Sequence, residues 1–394
     1  MTQADVVVVG GGTVGGWTAA MLAAAGRRVV LVEADTLGNG ASSRAAGVVR
    51  AQGGTEAAIR LGLYSRDFYT TQRDHYPLDS GFVAQGYLMP GFTEDEVRAA
   101  HERIALQQSL GLEVEWLDAG ELDRRNTGLA KGVALGASFA AGDGYIDPPR
   151  NVLAYSAALV TLGVDIRERC AFTGLRVDGT GVTGVETTHG PIDTEQVVLT
   201  GGPDLAAVGR TAGGRIFAGG TRHQVVVTEP VRDVDVHSVP MAFDVTSGIY
   251  WRPGEAGGLL WGMSNPDEQP GPARDFDTDY FTRMRDRVAT LFPASAGLAL
   301  RRTWAATIDY TPDHLPILGP LLRDGEPVTG TIVAGAGGHG MMWGPGVARA
   351  AADLTLDGKT ELLDVTDLGL DRFDESGRSR LAADPIALPF PQHT

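Results

Sequence analysis

The string Gly10-Gly-Gly-Thr-Val-Gly15 stands directly after Val6-Val-Val-Val9 and just before the alanine-rich stretch Trp17–Ala25. A short β-branched run suits a buried parallel strand, and the alanines suit a helix, closed by Gly26. A second strand, Arg28 to Glu33, then ends on an acid 18 residues beyond Gly15. G-x-G-x-x-G alone is a weak signal; between strand and helix, with an acid at the next strand end, it is a dinucleotide fingerprint. Gly10 permits the tight turn, Gly12 lets backbone approach a diphosphate, and Gly15 lets helix and strand pack closely. The N–H groups from Gly12 through Thr13 and Val14 open the helix, where its dipole favours an anion. Glu33 accepts hydrogen bonds from ribose hydroxyls, and its charge disfavours a 2′-phosphate. The bland alternative, a glycine turn beside an incidental acid, meets none of the three contextual conditions by design.

Two further glycine loops bear on which dinucleotide is bound. Gly40-Ala-Ser-Ser-Arg-Ala-Ala-Gly47 follows Glu33 closely; Ser42 and Ser43 bring hydroxyls, and Arg44 brings a cation for a diphosphate. Gly335-Ala-Gly-Gly-His-Gly-Met341 follows a buried-strand run, Thr331–Ala334, and precedes a helix from Gly346 to Leu356. A flavin ring needs a second anchor far from its adenine, and N–H groups of this loop facing the N1–C2=O edge would stabilise the reduced ring. Taken alone, the late loop reads equally as a sharp helix entry.

At 394 residues the chain is too long for one small domain, and two units are expected. Parallel-type segments lie at both ends, and strand-rich material from Thr221 to Gly262 lies between, followed by an amphipathic helix at Asp277–Phe292. Further helices are read at Glu56–Gln72, Glu94–Leu110 and Asn151–Leu162, with short strands at Val164–Arg169, Leu175–Val177, Val182–Thr187 and Glu195–Thr200. The tail from Asp384, with Pro385, Pro389 and Pro391, reads as irregular. The fold class is therefore α/β: a discontinuous Rossmann-like FAD-binding domain (1–80, 145–215 and 330–394) and a mainly antiparallel β substrate-binding domain (81–144 and 216–329). Lys plus Arg is 33 against 49 for Asp plus Glu, a formal charge of −16, which argues against a nucleic-acid partner. The single cysteine, Cys170, makes no intrachain disulfide and no thiolate metal site, and no metal-ligand cluster stands out. No apolar run reaches the length of a membrane span. With no basic leader at the N-terminus, the chain is expected to be cytoplasmic; its oligomeric state stays open.

The chain resembles the D-amino-acid oxidase superfamily of FAD-dependent oxidoreductases, particularly its glycine oxidase and sarcosine oxidase branch. The resemblance covers nearly the whole chain. It rests on the Gly10–Gly15 fingerprint with Glu33, the Gly40–Gly47 loop, Ile249-Tyr-Trp-Arg-Pro253, Trp304-Ala-Ala-Thr-Ile-Asp-Tyr-Thr-Pro-Asp313 with Leu315-Pro-Ile-Leu-Gly319, and Gly338-His-Gly340. It implies FAD bound in extended form and oxidation of a C–N bond to an imine that hydrolyses. The implied cofactor contacts are Gly10, Gly12, Thr13, Val14, Gly15, Glu33 and Ala34, then Ser42, Ser43, Arg44, Ala45, Ala46 and Gly47. Ala171, Gly201 and Gly202 follow, and the late loop adds Gly337, Gly338, His339, Gly340 and Met341. His339 either polarises the flavin edge or merely shapes the loop. Tyr250 falls where such enzymes place a tyrosine for the substrate carboxylate.

Two departures shape the expected function. The family's Gly-x-Arg-Pro arginine is replaced here by Ile308 and Asp309, so another cation must serve. Arg252 shares a strand face with Tyr250, and Arg50 lies just past the flavin loop; either also reads as a structural ion pair. Arg222 and His223 read as structural. Relatives attach flavin through a late cysteine or an early-loop histidine; this chain has neither, so FAD is expected to be non-covalent. Its only lysines, Lys131 and Lys359, look peripheral, which bears on the oxygen reaction. The expected function is oxidation of a secondary amine or N-substituted amino acid, such as an N-carboxymethyl amine giving glyoxylate and the free amine. O2 is the expected acceptor and H2O2 the product, in a possible biosynthetic setting. The alternatives are an amino-acid dehydrogenase passing electrons to a quinone or partner subunit, and a non-catalytic flavin-binding assembly factor.

Overall fold

A computed structural model describes residues 2–179 and 181–386. Pro389 and Pro391 of the tail lie outside the described residues.

Two large sheets organise the chain. The first has six strands, ordered Asp165–Arg167, Val29–Val32, Val6–Val9, Val197–Leu199, Thr331–Gly335 and Ile317–Gly319. All neighbours run parallel except the last pair. The valine runs are buried because both faces are covered. Val6, Val8, Leu31 and Ala334 pack beneath the helices Thr13–Ala24, Pro148–Thr161 and Gly344–Asp357. Val7, Val9, Val30 and Val333 face the other way, onto Val182, Val185 and Ile192 of a four-stranded sheet. Strand alternation thus divides each run between two cores.

The helix after the fingerprint begins at Thr13, four residues before the alanine-rich stretch, because Gly15 and Gly16 are taken into its first turns where the backbone approaches its neighbours. The strand Ile317–Gly319 joins the six-stranded sheet, so the chain returns to it before residue 330. Two short helices, Ala119–Arg125 and Leu205–Thr211, have no counterpart in the sequence reading.

The second sheet has eight strands, ordered Leu300–Tyr310, Gly219–Thr228, Leu259–Ser264, Ile249–Pro253, Met241–Asp244, Tyr87–Gly91, Gly136–Ala140 and Glu115–Asp118. It is antiparallel apart from the pair Met241–Asp244 and Tyr87–Gly91. One face, with Val226, Trp251, Trp261 and Met263, packs on the helix Thr278–Leu291, which Asp277 caps. The opposite face carries Val225, Val227, Met241, Phe243 and Tyr250 and turns toward the fingerprint side of the molecule, where Ala46 joins its cluster.

Asp313 and Arg372 tie the late segments together in a fully buried pair, with Nε–Oδ2 at 2.7 Å and Nη2–Oδ1 at 3.1 Å. Arg372→Met strands the Asp313 carboxylate in the core and is expected to cost about 3–5 kcal/mol in urea unfolding. Replacing both partners by apolar residues should recover most of that loss. If the single and double variants unfold alike, the pair does not hold these segments.

Candidate active site

Gly10 adopts φ 103°, and Thr200 locks the turn by donating from Oγ1 to Val9 O at 2.6 Å. A Cβ on Gly15 would fall 1.9 Å from the carbonyl oxygen of Gly10, so only glycine lets helix and turn meet. Gly12 opens the helix without a side-chain cap, and one first-turn amide, Thr13 N, donates to Ser42 Oγ at 2.9 Å. The Glu33 carboxylate accepts from Gly11 N at 2.7 Å and from Asp35 N at 2.8 Å, which fixes it at the strand end.

A cavity of about 400 Å³ runs from this turn to the inner face of the eight-stranded sheet. Of the residues expected from the sequence, Gly10, Gly12, Thr13, Val14, Gly15, Glu33, Ser42, Ala45, Ala46 and Gly47 line it. Gly201, Gly202, Gly338, His339, Gly340, Met341, Arg50 and Tyr250 complete the set that meets there.

Six expected residues lie outside that lining. Ala34 is exposed beyond the strand end. Ser43 follows Ser42 but sends its amide back to Gly38 O. The Arg44 guanidinium is taken up by the carbonyls of Asn39 and Gly40 and closes its own loop. Ala171 pairs with Thr188 in the four-stranded sheet. Gly337 is needed for shape, since a Cβ there would sit 2.9 Å from Leu315 O. Arg252 donates from Nε to Ala46 O and from Nη1 to Pro253 O, each at 2.6 Å, and stacks 4.6 Å from the Tyr145 ring centre. Its guanidinium is held on Ala46, which lines the cavity, so the strand face it shares with Tyr250 does not bring it into the lining.

At the sheet end, His223 lies stacked against Tyr250 with ring centres 5.6 Å apart and planes 8° apart. His223 Nε2 is 2.5 Å from Tyr250 Oη, and Nδ1 is 2.7 Å from Ser264 Oγ. Burial pushes the His223 imidazole down to about 4 and the Tyr250 phenol well above its usual range. A neutral ring accepting the Tyr250 proton at Nε2 and donating from Nδ1 to Ser264 satisfies this chain. Both residues line the cavity.

His339 stacks on Trp343, 4.1 Å between ring centres, and its Nδ1 lies 3.0 Å from Gly337 O. Burial, then the Arg50 cation, push it down to about 3. A neutral ring donating from Nδ1 keeps only a lone pair at Nε2, which has no partner among the described residues. His339 therefore offers the cavity an acceptor in place of a polarising proton. Asp309 also lines the cavity; burial raises its carboxyl, and the amides of Gly338 and Gly337 face it. Asp309 thus sits against the glycine loop that the sequence pattern assigns to a flavin edge.

Residues 5–354 match the model of the FAD dependent oxidoreductase family. The chain belongs to that family. It is an oxidoreductase with FAD as cofactor, and the cavity fits the group: Gly12 faces it without a side chain at the helix start, Glu33 stands fixed beside it, and His339 Nε2 lacks a donor. It is 29% identical to 4-methylaminobutanoate oxidase (formaldehyde-forming) of Paenarthrobacter nicotinovorans, over 96% of this chain and 47% of that protein. Mitochondrial sarcosine dehydrogenase of Mus musculus is 27% identical over 91% of this chain and 40% of that protein. The chain thus spans less than half the length of these relatives. Among solved structures, L-proline dehydrogenase from P. horikoshii superimposes with a TM-score of 0.84 at 26% identity, covering 92% of this chain and 95% of that one. Glycine oxidase from Geobacillus kaustophilus gives 0.82 at 26%, covering 95% and 100%. Among the described residues no helix is long and apolar enough to cross a membrane.

Sequence reasoning missed His223, Thr200 and the inward aim of Asp309. One signal was present for His223: in His223-Gln-Val-Val-Val-Thr the histidine shares the face of Val225 and Val227, which turns toward the cavity. In an unfolded chain His223 takes up a proton near pH 6.5, but in the folded one only near pH 4. Folding stability should fall as pH drops through that window, by roughly 3 kcal/mol at most from this group. His223→Gln should flatten the fall in urea midpoints between pH 7 and pH 4.5; an unchanged pH slope would show that the ring is protonated when folded.

Proposed function

We propose that this chain oxidises the C–N bond of a secondary amine or N-substituted amino acid of the glycine or sarcosine kind. An N-carboxymethyl amine would give glyoxylate and the free amine, with O2 as acceptor and H2O2 as product. The observation that carries the reading is Arg50. It is 4% exposed and lines the cavity, and its guanidinium donates to Gln52 O and Ile386 O but forms no ion pair among the described residues. The buried Asp384 carboxyl attracts this cation without touching it, so the guanidinium still lacks a direct anionic partner, a costly arrangement for a buried charge. A substrate carboxylate relieves that cost, and Arg50 thereby takes the role of the arginine that Ile308 and Asp309 replace.

The fingerprint residues, Glu33, Ser42 and the 338–341 loop would hold FAD non-covalently, and FAD supplies the hydride acceptor. Oxidation requires a neutral amine, because a protonated nitrogen has no lone pair to form the imine as hydride leaves its α-carbon. Tyr250 Oη accepts a hydrogen bond from the substrate nitrogen while its own proton points to His223 Nε2, so the pair orients the amine, and with His223 held neutral by burial the site favours the amine in its unprotonated form. Arg50 holds the other end of the molecule and fixes the reacting carbon. Water then cleaves the imine. The domain division of the sequence reading, with the substrate held by the eight-stranded sheet, belongs to this proposal. A cytoplasmic location fits the single buried Cys170.

A second reading, a dehydrogenase with a quinone or protein acceptor, is favoured by one observation. Both lysines are exposed and neither lines the cavity, so no ammonium stands beside the site of oxygen reduction.

Anaerobic mixing with sarcosine, other N-alkyl glycines, proline and D-amino acids should bleach the flavin band with the N-substituted compounds. Arg50→Met should raise KM about 100-fold for carboxylate-bearing amines, the loss of one charged hydrogen-bonded contact. Bleaching by primary D-amino acids alone would sink the substrate class. Air should reoxidise the reduced enzyme within the turnover time; slow reoxidation selects the dehydrogenase.

A further inference from the structure

The acceptor that holds Arg50 comes from the far end of the described chain. Ile386 O takes Arg50 Nη2 at 3.0 Å, while Gln52 O takes Nη1. Ile386 is fully buried in the apolar cluster that contains Tyr87, Phe243 and Tyr250, three residues that line the cavity. Its amide donates to Asp384 Oδ1 at 3.0 Å, and the amide of Gly54 faces the same buried carboxyl. A Cβ on Gly54 would lie 2.2 Å from Asp384 Oδ1, so that glycine is what lets the segment close down. Asp384 N donates in turn to Asp313 O at 3.2 Å, and Asp313 is fixed by Arg372. A continuous chain of bonds therefore runs from a buried ion pair to the guanidinium at the substrate end.

We propose that residues 384–386 are a positioning element of the substrate site. They set where the Arg50 cation stands, and so the number of carbons accepted between the substrate carboxylate and the nitrogen. The proposal rests on Arg50 being the carboxylate anchor. An arginine side chain has four torsions, and backbone carbonyls pin its end only as firmly as they are themselves pinned. Each methylene moves a carboxylate by more than 1 Å, enough to separate homologues where the anchor is fixed, by about 10-fold per carbon. Sarcosine and 4-methylaminobutanoate, compounds that name relatives of this chain, differ by two such carbons.

The test uses holoenzyme and three probes, acetate, propanoate and butanoate, titrated against the oxidised flavin absorbance. The wild type should favour one acid over the next by about 10-fold. Asp384→Ala should bring the three within about 3-fold of one another, chiefly by weakening the favoured one. Asp384→Asn, which keeps an oxygen for the Ile386 amide, should restore the preference. Gly54→Ala displaces the same carboxyl from the other side and should flatten the series as Asp384→Ala does; it serves also if Asp384→Ala does not fold. A wild-type series with no preference, or a preference that survives both substitutions, overturns the proposal. Arg50→Met separates the two levels. If it leaves acid binding unchanged, the anchor reading fails; if it abolishes binding while the Asp384 variants keep the wild-type order, only the role of the segment fails.

Discussion

The approach of Gly15 to the carbonyl of Gly10 leaves no space for a single carbon, and the central part of the fold is arranged around that contact. It brings the helix Thr13–Ala24 onto the sheet close enough for Trp17 to be fully buried against Tyr155, Phe68 and Tyr76. Thr200, from a strand almost 200 residues away, donates to Val9 O beneath the same turn, so the parallel ladder and the turn fix one another. A wider turn would separate the Thr13 amide from Ser42 and the Gly11 amide from Glu33, and the cavity would lose its first wall.

From that wall the chemistry changes character along the cavity. Near the fingerprint the groups are backbone amides and one fixed carboxylate, suited to a diphosphate and a ribose. At the eight-stranded sheet they are buried side chains whose ionisation the surroundings control. His223 and His339 are both held neutral by burial, Tyr250 is held protonated, burial works against a charge on Asp309, and the Arg50 guanidinium stands buried beside them without a direct ion pair among the described residues. In a chain with a formal charge of −16, a buried cation facing a cavity attracts an anion that most of the surface repels. Neutral histidines beside it also limit the repulsion that a second cation would bring.

Much of this was legible in the sequence, but unevenly. The valine runs, the glycine spacing and Glu33 carry local rules, and each of those residues lies where the rule puts it. Ser42, Ala45 to Gly47 and His339 to Met341 also line the cavity, because glycine-rich loops after strands have few places to go. What the sequence did not show is which acceptor or ring each side chain meets, whether near in the chain or far. Arg44 was read as a cation for a diphosphate, yet its nearest acceptors are the carbonyls of Asn39 and Gly40, only five and four residues back. His223 was read as structural because nothing local says that Ser264, on the neighbouring strand, and Tyr250, on the strand beyond it, meet its ring.

The two candidate arginines show why strand periodicity settles a face but not a partner. Arg252 and Tyr250 do alternate onto one side of their strand, as period two requires. Between that side and the cavity stands the 45–47 loop, and Ala46 O captures the guanidinium before it can reach a ligand. Burial even pulls Arg252 below the usual arginine range, a sign that its charge is poorly compensated where it sits. Arg50 carries no such periodic signal. It reaches the cavity because its own strand, Val48–Val49, ends one residue earlier and the chain turns inward, toward Gln52 and the segment at Ile386. The Arg50 guanidinium is therefore held by two carbonyls brought together from residues 52 and 386, a separation across which no pattern in the sequence extends.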